Sequence, residues 1–225
     1  MTDSPIKVID HFLPEEVFRP LAYHIMTYDA YRCCDYTTFD HESDGSIAWF
    51  GERDNPLNTD PEIKFHESLM ALKIYERIHN SEFISDLYHH QRPEFEVLYE
   101  KLNCWKMLLI RANCTFTASE NFVGKWHNDL DTHPHDDKSG NTEAKTCVLY
   151  LNRNNGGTKF KENGEFVQSE SNRACIFPGT MEHAGVWCTD KKLRFVLNIN
   201  YVENKEKPKE ITQKTIEKAT KLWRN

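Results

Sequence analysis

The sequence predicts a mainly β protein of the α+β class, a sandwich or jelly-roll barrel preceded by helices. Nearly every segment after residue 103 is short, apolar and bounded by Gly or Asn turns. Many short strands joined in this way are typical of sandwiches and barrels. Before residue 103, apolar residues recur at helical spacing, which indicates helices that pack against one face of a sheet.

A chain of 225 residues is long enough for one domain with a sizeable core. We expect a single domain spanning 1–225. In it, 1–103 would supply helical and loop support, 104–203 the jelly-roll core, and 204–225 a C-terminal helix with a basic outer face.

The supporting half begins with a short strand over 6–10. Pro14 and two acids then open a helix to about Met26, because proline and carboxylates suit the first turn of a helix. Apolar residues at helical spacing predict further helices over 61–80 and 93–102.

The barrel half carries six strand-like runs, separated by the turn sequences NNGG and ENG. The predicted strands are 105–116, 146–151, 158–161, 173–177, 184–187 and 193–201.

The last predicted strand alternates in character along its length. Arg194, Val196 and Asn198 share one face, and the residues between them are apolar. If the apolar face packs on the helices or on a second sheet, Arg194 points into the barrel. A buried guanidinium is costly without a partner, and its planar fork suits the carboxylate of a ligand. The alternative is a surface arginine on an edge strand.

The charge balance argues against nucleic-acid binding. The net charge is −7, and because the basic tail from residue 204 holds seven Lys/Arg against three acids, the rest of the chain carries −11. Such a body repels a phosphate backbone.

The seven cysteines are an odd number with no C-x-x-C pair, which predicts reduced thiols in the cytoplasm. The start of the chain does not resemble a signal peptide, and no apolar run approaches the length of a membrane span. We therefore expect no membrane partner.

Three residues predict a metal site: His127 and Asp129 in GKWHNDL, and His183 in PGTMEHAGVW. Side chains two apart on an extended strand point the same way and can bind one ion. Two imidazoles and one carboxylate form the facial set of mononuclear iron sites, which leaves positions open for a co-substrate and oxygen. A second His-x-Asp match, His135 and Asp137, lies in a run that indicates a solvated loop.

Three such ligands with open positions also suit zinc. A metal-binding β-barrel that is not an oxygenase is therefore the competing class, although it gives no role to an inward Arg194.

The block HND, TCVLYLNRNNGGTKF, RACIFPGTMEHAGV and LRFVLNINY, over roughly 105–201, resembles the Fe(II)/2-oxoglutarate-dependent dioxygenases. Within them it is similar to the prolyl 4-hydroxylase-like branch and to oxygenases encoded by bacteriophages, in which case the compartment would be the host cytoplasm. The resemblance implies a double-stranded β-helix, another name for this jelly roll. It also implies Fe(II), 2-oxoglutarate as co-substrate, O2, and ascorbate as an optional reductant.

By position, the resemblance makes His127, Asp129 and His183 the iron ligands. It places Arg194 on the distal carboxylate of 2-oxoglutarate, with Tyr150 hydrogen-bonded to the same carboxylate. Asn198, Asn113 and Thr115 fall where relatives contact the metal or the co-substrate.

The implied reaction is hydroxylation of an unactivated C–H bond with release of succinate and carbon dioxide. A prolyl residue in a peptide or protein fits the nearest resemblance, and a free amino acid or other small metabolite is the main alternative. The sequence does not indicate an oligomeric state.

Overall fold

The structure, a computed structural model, describes residues 4–27, 32–34, 69–78, 81–85, 87–88, 92–129, 144–205 and 211–221. Within these ranges the helices are α1 (Glu15–Thr27), α2 (Arg92–Lys101) and α3 (Gln213–Thr220). The strands are β1 (Lys7–Ile9), β2 (Arg32–Cys34), β3 (Leu69–Ile78), β4 (Ser81–Ile84), β5 (Cys104–Phe116), β6 (Ala144–Tyr150), β7 (Gly157–Phe160), β8 (Phe166–Gln168), β9 (Arg173–Pro178), β10 (His183–Val186) and β11 (Leu193–Glu203).

The strands form two antiparallel sheets. The larger has the order β1-β9-β6-β11-β5-β3-β2, with β4 pairing β3, and the smaller has the order β10-β7-β8. From β6 onward the chain passes repeatedly between the sheets: β6, β9 and β11 lie in the larger, and β7, β8 and β10 in the smaller. This is the jelly-roll arrangement, and the prediction of a mainly β fold is confirmed.

One face of the larger sheet packs on the helices. Alternating residues of the central strands join fully buried helical residues in one apolar cluster, because side chains alternate between the faces of a strand. The cluster includes Val17, Leu21 and Ile25 of α1, Phe95 and Leu98 of α2, Ala219 of α3, and Ile110, Cys147, Leu197 and Ile199 of the sheet. Burial of each large aliphatic side chain contributes about 1.5–3 kcal/mol.

The opposite face of the larger sheet packs on the smaller sheet. Val148, Tyr150 and Val196 contact Phe160 and other residues of the second sheet in a separate, smaller cluster. The two sheets therefore enclose an interior, in which the functional residues lie.

The helix predicted over 61–80 is wrong for the part that the structure describes. Residues 69–78 form β3, which pairs with β5 on one side and with β2 and β4 on the other. Ile74 in its middle is fully buried. In a short apolar segment, the spacing of the apolar residues does not distinguish a buried strand from a helix. Here the segment is a strand because its backbone pairs with β5. The predicted first helix and the one at 93–102 are confirmed as α1 and α2.

Both glycines of the NNGG turn are required because neighbouring backbone atoms leave no room for a side chain. A Cβ on Gly157 would clash with the Val167 carbonyl oxygen. A Cβ on Gly156 would clash with the Val186 carbonyl oxygen, at 2.5 Å. Gly157 can therefore pair with β8 only because it has no side chain.

The C-terminal helix begins after Thr212, whose hydroxyl accepts a hydrogen bond from the Thr215 amide. Residues 206–210 and 222–225 of the predicted tail lie outside the described ranges. None of the helices in the described ranges is long and apolar enough to cross a membrane.

Candidate metal centre and the adjoining cavity

Backbone pairing brings His127 and His183 together. The amide of each donates to the carbonyl of the other, at 3.0 and 2.8 Å, so the two residues lie directly opposite on antiparallel segments. Opposite residues point to the same side, and the ring centroids are 4.5 Å apart. The segment that contains His127 forms two isolated β-bridges rather than a strand: one is this pair, and the other joins Val123 to Val186.

Asp129 completes the cluster, as its spacing from His127 predicts. Its carboxylate oxygens lie 3.9 Å from His127 Nε2 and 3.8 Å from His183 Nε2. One ligand atom from each residue lies within 4.8 Å of the others, and the Asp129 side chain is only 2% exposed. Two imidazole nitrogens and one carboxylate oxygen at this spacing fit an Fe(II) ion with open coordination positions.

Both imidazoles are oriented by the backbone. His127 Nδ1 lies 3.0 Å from the Lys125 carbonyl, and His183 Nδ1 lies 3.0 Å from the Met181 carbonyl. A proton on each Nδ1 satisfies these carbonyls and leaves Nε2 unprotonated toward the metal. Such bonds fix the tautomer and the ring orientation of a ligating histidine.

A buried polar pair holds the Asp129 carboxylate. The Thr146 hydroxyl donates to Asp129 Oδ2 at 2.9 Å and lies 3.2 Å from Asn200 Oδ1. Thr146 is fully buried and Asn200 is 2% exposed. Because the hydroxyl engages Oδ2, it favours presentation of Oδ1 to the ion.

Burial favours the deprotonated form of His127, and neighbouring groups favour that of Asp129. Burial is the largest influence on the pKa of His127 and lowers it. Burial raises the pKa of Asp129, but His183, His127, Arg111 and the Thr146 hydroxyl together outweigh this and hold it below the ordinary value. Asp129 and His127 are therefore ready to bind a cation at neutral pH.

We expect the Thr146→Val variant to bind Fe(II) about 10- to 100-fold more weakly, the usual effect of losing a partner that orients a metal ligand. Thr146→Ser keeps the hydroxyl and should restore most of the affinity. The metal affinity of both variants is measured by titration with Co(II) in place of Fe(II), because the visible absorption of Co(II) reports the bound metal. Thr117→Val is the control, because the Thr117 hydroxyl bonds to the Cys188 carbonyl instead. Equal affinity of the Thr146→Val variant and the unmodified protein would contradict the role.

A cavity adjoins the metal cluster between the two sheets. One wall of the cavity is formed by a ladder of paired and mostly polar residues on β5 and β11, because the inward faces of these strands meet in register. Arg194 lies opposite Thr115, Val196 opposite Asn113, and Asn198 opposite Arg111. The lining residues are Arg111, Asn113, Thr115, Gly124, Lys125, His127, Val148, Thr158, His183, Gly185, Trp187, Arg194, Val196 and Asn198.

Arg194 points into the barrel, as the alternation of the last strand predicts, and the surface alternative is wrong. The residue is 4% exposed. Its Nη2 donates to the Gly157 carbonyl at 2.8 Å, and its Nε has no hydrogen-bond partner among the described residues. Burial lowers the pKa of Arg194 but leaves it charged at physiological pH. The guanidinium therefore keeps donor capacity for an anion in the cavity.

Other predicted polar residues surround the same end of the cavity. Asn113 Oδ1 and Thr115 Oγ1 are buried without a hydrogen-bond partner in the described part of the chain. Buried polar atoms are rarely left unsatisfied, so this pattern is consistent with a polar ligand. Asn198 also lines the cavity, nearer the metal cluster.

Tyr150 is fully buried and is not among the residues that line the cavity. Its hydroxyl shares one proton between Thr158 Oγ1 at 2.8 Å and the Val167 carbonyl at 3.1 Å. Thr158 does line the cavity, so the Tyr150 hydroxyl contacts a residue of the cavity wall without lining the cavity itself.

The sequence patterns assigned no role in the site to Thr146, Thr158, Trp187 or Arg111. Arg111 could have been found, because Arg111, Asn113 and Thr115 alternate with apolar residues just as the β11 residues do. Thr146 and Thr158 carry no such signal. The competing pair, His135 and Asp137, lies outside the described residues.

No protein-family model matches the chain, and no curated protein matches it in sequence. Solved structures do match. The α-ketoglutarate-dependent non-heme epimerase SnoN from nogalamycin biosynthesis is 10% identical, with TM-score 0.52 over 88% of this chain and 78% of that one. A prolyl-4-hydroxylase from Pseudomonas putida is 13% identical, with TM-score 0.48 over 88% and 92%. A prolyl hydroxylase from Trichoplax adhaerens, in complex with a peptide fragment of hypoxia inducible factor, is 12% identical, with TM-score 0.49 over 98% and 87%.

The chain thus shares its jelly-roll fold with the α-ketoglutarate-dependent epimerase SnoN. The fold predicted from the resemblance is confirmed. The relation to bacteriophage enzymes stays a prediction.

Proposed function

We propose that this chain is an Fe(II)- and 2-oxoglutarate-dependent dioxygenase that hydroxylates an unactivated C–H bond, with a prolyl residue of a peptide or protein as the substrate that the sequence resemblance favours. One observation carries the proposal. A single cavity has the His127, Asp129 and His183 cluster at one end and the buried guanidinium of Arg194 at the other.

That arrangement matches the two ends of 2-oxoglutarate. His127 Nε2, His183 Nε2 and one Asp129 oxygen would hold the iron on one face, leaving the cavity side open for the keto-acid end. Arg194, kept in place by the Gly157 carbonyl, would bind the distal carboxylate with charge-assisted hydrogen bonds. Thr115 and Asn113 would add hydrogen bonds, and Tyr150 would act on the same carboxylate through Thr158.

Bound iron supplies the activation of oxygen and the oxidation of the C–H bond. In the balanced reaction one oxygen atom enters the product hydroxyl and the other enters succinate, while the 1-carboxylate of 2-oxoglutarate leaves as carbon dioxide. The protein positions the reactants and limits access of water, with Val148, Val196 and Trp187 as the apolar part of the lining.

Anaerobic addition of 2-oxoglutarate to the Fe(II)-loaded protein tests the proposal. We expect a visible charge-transfer band, which arises when an α-keto acid chelates Fe(II). A metal-binding barrel of another class, such as a zinc hydrolase, would give none. Bound Fe(II) with no new band at saturating 2-oxoglutarate would overturn the assignment.

The finer proposal, a prolyl substrate, has its own experiment. Proline-containing peptides incubated with the enzyme, Fe(II), 2-oxoglutarate and oxygen should gain one oxygen atom on proline, measured by mass spectrometry. Oxidation of a free amino acid, with no peptide product, would replace this substrate while leaving the oxygenase assignment intact.

A further inference from the structure

One buried N–H group of the cavity lining has no acceptor. Trp187 lines the cavity and is 2% exposed, and its indole Nε1 has no hydrogen-bond partner among the described residues. An indole N–H can only donate, and buried donors are rarely left without an acceptor. The proposed function uses only the apolar surface of Trp187, so this donor is available to a ligand.

Trp187 lies at the Arg194 end of the cavity. His183, Gly185 and Trp187 all line the cavity, because side chains two apart along an extended segment share one side. Four residues of extended chain span about 13 Å, so Trp187 is well separated from the metal ligand His183. The residue before Trp187 pairs with Gly157, whose carbonyl accepts the hydrogen bond from Arg194.

Gly185 shows that the indole ring and the Arg194 guanidinium border the same space. A Cβ placed on Gly185 would lie 3.9 Å from Arg194 Nη1 and 4.0 Å from Trp187 Cζ3. Both are ordinary van der Waals distances, so the space beside the two groups admits an atom without a clash.

Contacts on either side of the residue fix the indole. The Trp187 amide donates to the Phe122 carbonyl at 2.9 Å, and the Asn121 side-chain amide donates to the Trp187 carbonyl at 2.9 Å. The benzene half of the indole packs so closely on Gly124 that a Cβ there would lie 2.7 Å from Cζ3. Because Nε1 is on the far side of the indole from Cζ3, the N–H is directed away from the Gly124 backbone.

The unpartnered groups at this end of the cavity call for an acceptor. Arg194 Nε and Trp187 Nε1 are buried donors without a partner in the described part of the chain, and no Asp or Glu is among the described lining residues. A carboxylate has two oxygens with about four acceptor sites, so it can accept from a guanidinium and from an indole at once. Hydrogen bonds to a charged acceptor are also stronger than those between neutral groups.

We propose that the Trp187 indole N–H donates a hydrogen bond to the distal carboxylate of 2-oxoglutarate, beside the Arg194 guanidinium, and that it thereby favours keto acids that end in a carboxylate. The inference rests on the proposed function and adds a specificity-determining residue to its co-substrate site. The segment from His183 to Trp187 then carries a binding residue for each end of the co-substrate.

Calorimetry of the Mn(II)-loaded protein tests the inference with two keto acids of equal length. 2-Oxoglutarate ends in a carboxylate, whereas 2-oxopentanoate has a methyl group in its place. Replacement of Trp187 alone by 3-benzothienylalanine keeps the shape of the ring and exchanges the N–H for sulfur. We expect this replacement to weaken 2-oxoglutarate binding by about 10- to 100-fold, the effect of losing a hydrogen bond to a charged group, and to leave 2-oxopentanoate binding unchanged.

Two further proteins control for the shape of the ring. The same replacement at Trp105 is the matched control, because Trp105 is 62% exposed and is not among the lining residues. It should leave both affinities unchanged. Trp187→Phe also lacks the N–H but is smaller, and it should lower the ratio of the two affinities at least as far as benzothienylalanine does.

The indole proton gives an independent readout by nuclear magnetic resonance. In protein labelled with 15N at its indole nitrogens and loaded with diamagnetic Zn(II), the Trp187 signal is the one missing from the Trp187→Phe spectrum. We expect 2-oxoglutarate to move this signal downfield, because a hydrogen bond to a carboxylate deshields the donor proton. 2-Oxopentanoate should not produce this shift.

An equal loss of affinity for both keto acids would make Trp187 a structural residue and would overturn the inference. Unchanged 2-oxoglutarate affinity in the benzothienylalanine protein, or an indole signal that 2-oxoglutarate does not move, would have the same consequence. If the unmodified Mn(II)-loaded protein does not bind 2-oxoglutarate at all, the proposed function itself fails, so the two failures are distinguishable.

Discussion

The Asp129→Ala variant should form no measurable succinate from 2-oxoglutarate, and His127→Ala and His183→Ala should behave alike. Asp129 contributes the cluster's one carboxylate, and its oxygens lie within 4 Å of both Nε2 atoms. Loss of a ligand should weaken metal binding by more than the roughly 10- to 100-fold that follows loss of an orienting partner. Succinate formation and retained iron, measured on the same preparation, check the prediction.

Glu182→Gln is the matched control, because Glu182 adjoins His183 in sequence but pairs with Lys161 on the surface. It should retain full turnover. Normal turnover by the Asp129→Ala variant in halide-free buffer would contradict the assignment. Halide must be absent because it could occupy the position left by the carboxylate.

Arg194→Ala should weaken 2-oxoglutarate binding by about 10- to 100-fold, as expected for the loss of hydrogen bonds to a charged group. Metal binding should persist, because Arg194 is not among the three clustered ligands. Calorimetry of the Mn(II)-loaded variant with 2-oxoglutarate measures the change. Arg194→Lys should bind with intermediate affinity, because an ammonium keeps the charge but not the fork.

The effect of Arg194→Ala can be separated from unfolding. The guanidinium is buried with one of its donors unpartnered in the described structure, so its removal relieves a desolvation cost and need not lower the melting temperature in the absence of ligand. Arg153→Ala is the control, since the Arg153 side chain is 76% exposed and pairs with Glu170. Unchanged 2-oxoglutarate affinity in Arg194→Ala would exclude the proposed contact.

Some features of the site could be predicted because they depend on local periodicity. The spacing of His127 and Asp129 predicts a shared side in any extended segment, whatever it packs against. Alternation in β11 likewise separates Arg194, Val196 and Asn198 from the apolar residues that face the helices. The turns and most strand positions follow from Gly and Asn placement and from short apolar runs.

Other features depend on contacts between distant segments. Residues 69–78 have a pattern that local analysis assigns to a helix, but pairing with β5 makes them a strand. Thr146 lies opposite Asn200 because β6 and β11 pair at these residues, and its hydroxyl contacts Asp129 from 17 residues away in the sequence. Threonines are common in strands, so no local signal distinguishes this one.

The sequence by itself indicated the mainly β class through short apolar runs between Gly and Asn turns. It also indicated the shared side of His127 and Asp129 and the inward face of the last strand, because both follow from a period of two along an extended chain. Only the tertiary structure decided that His127 lies opposite His183, that Thr146 holds Asp129, and that Arg111 and Arg194 line the same cavity. Those relations depend on strand register across the two sheets, which the order of residues in one segment does not specify.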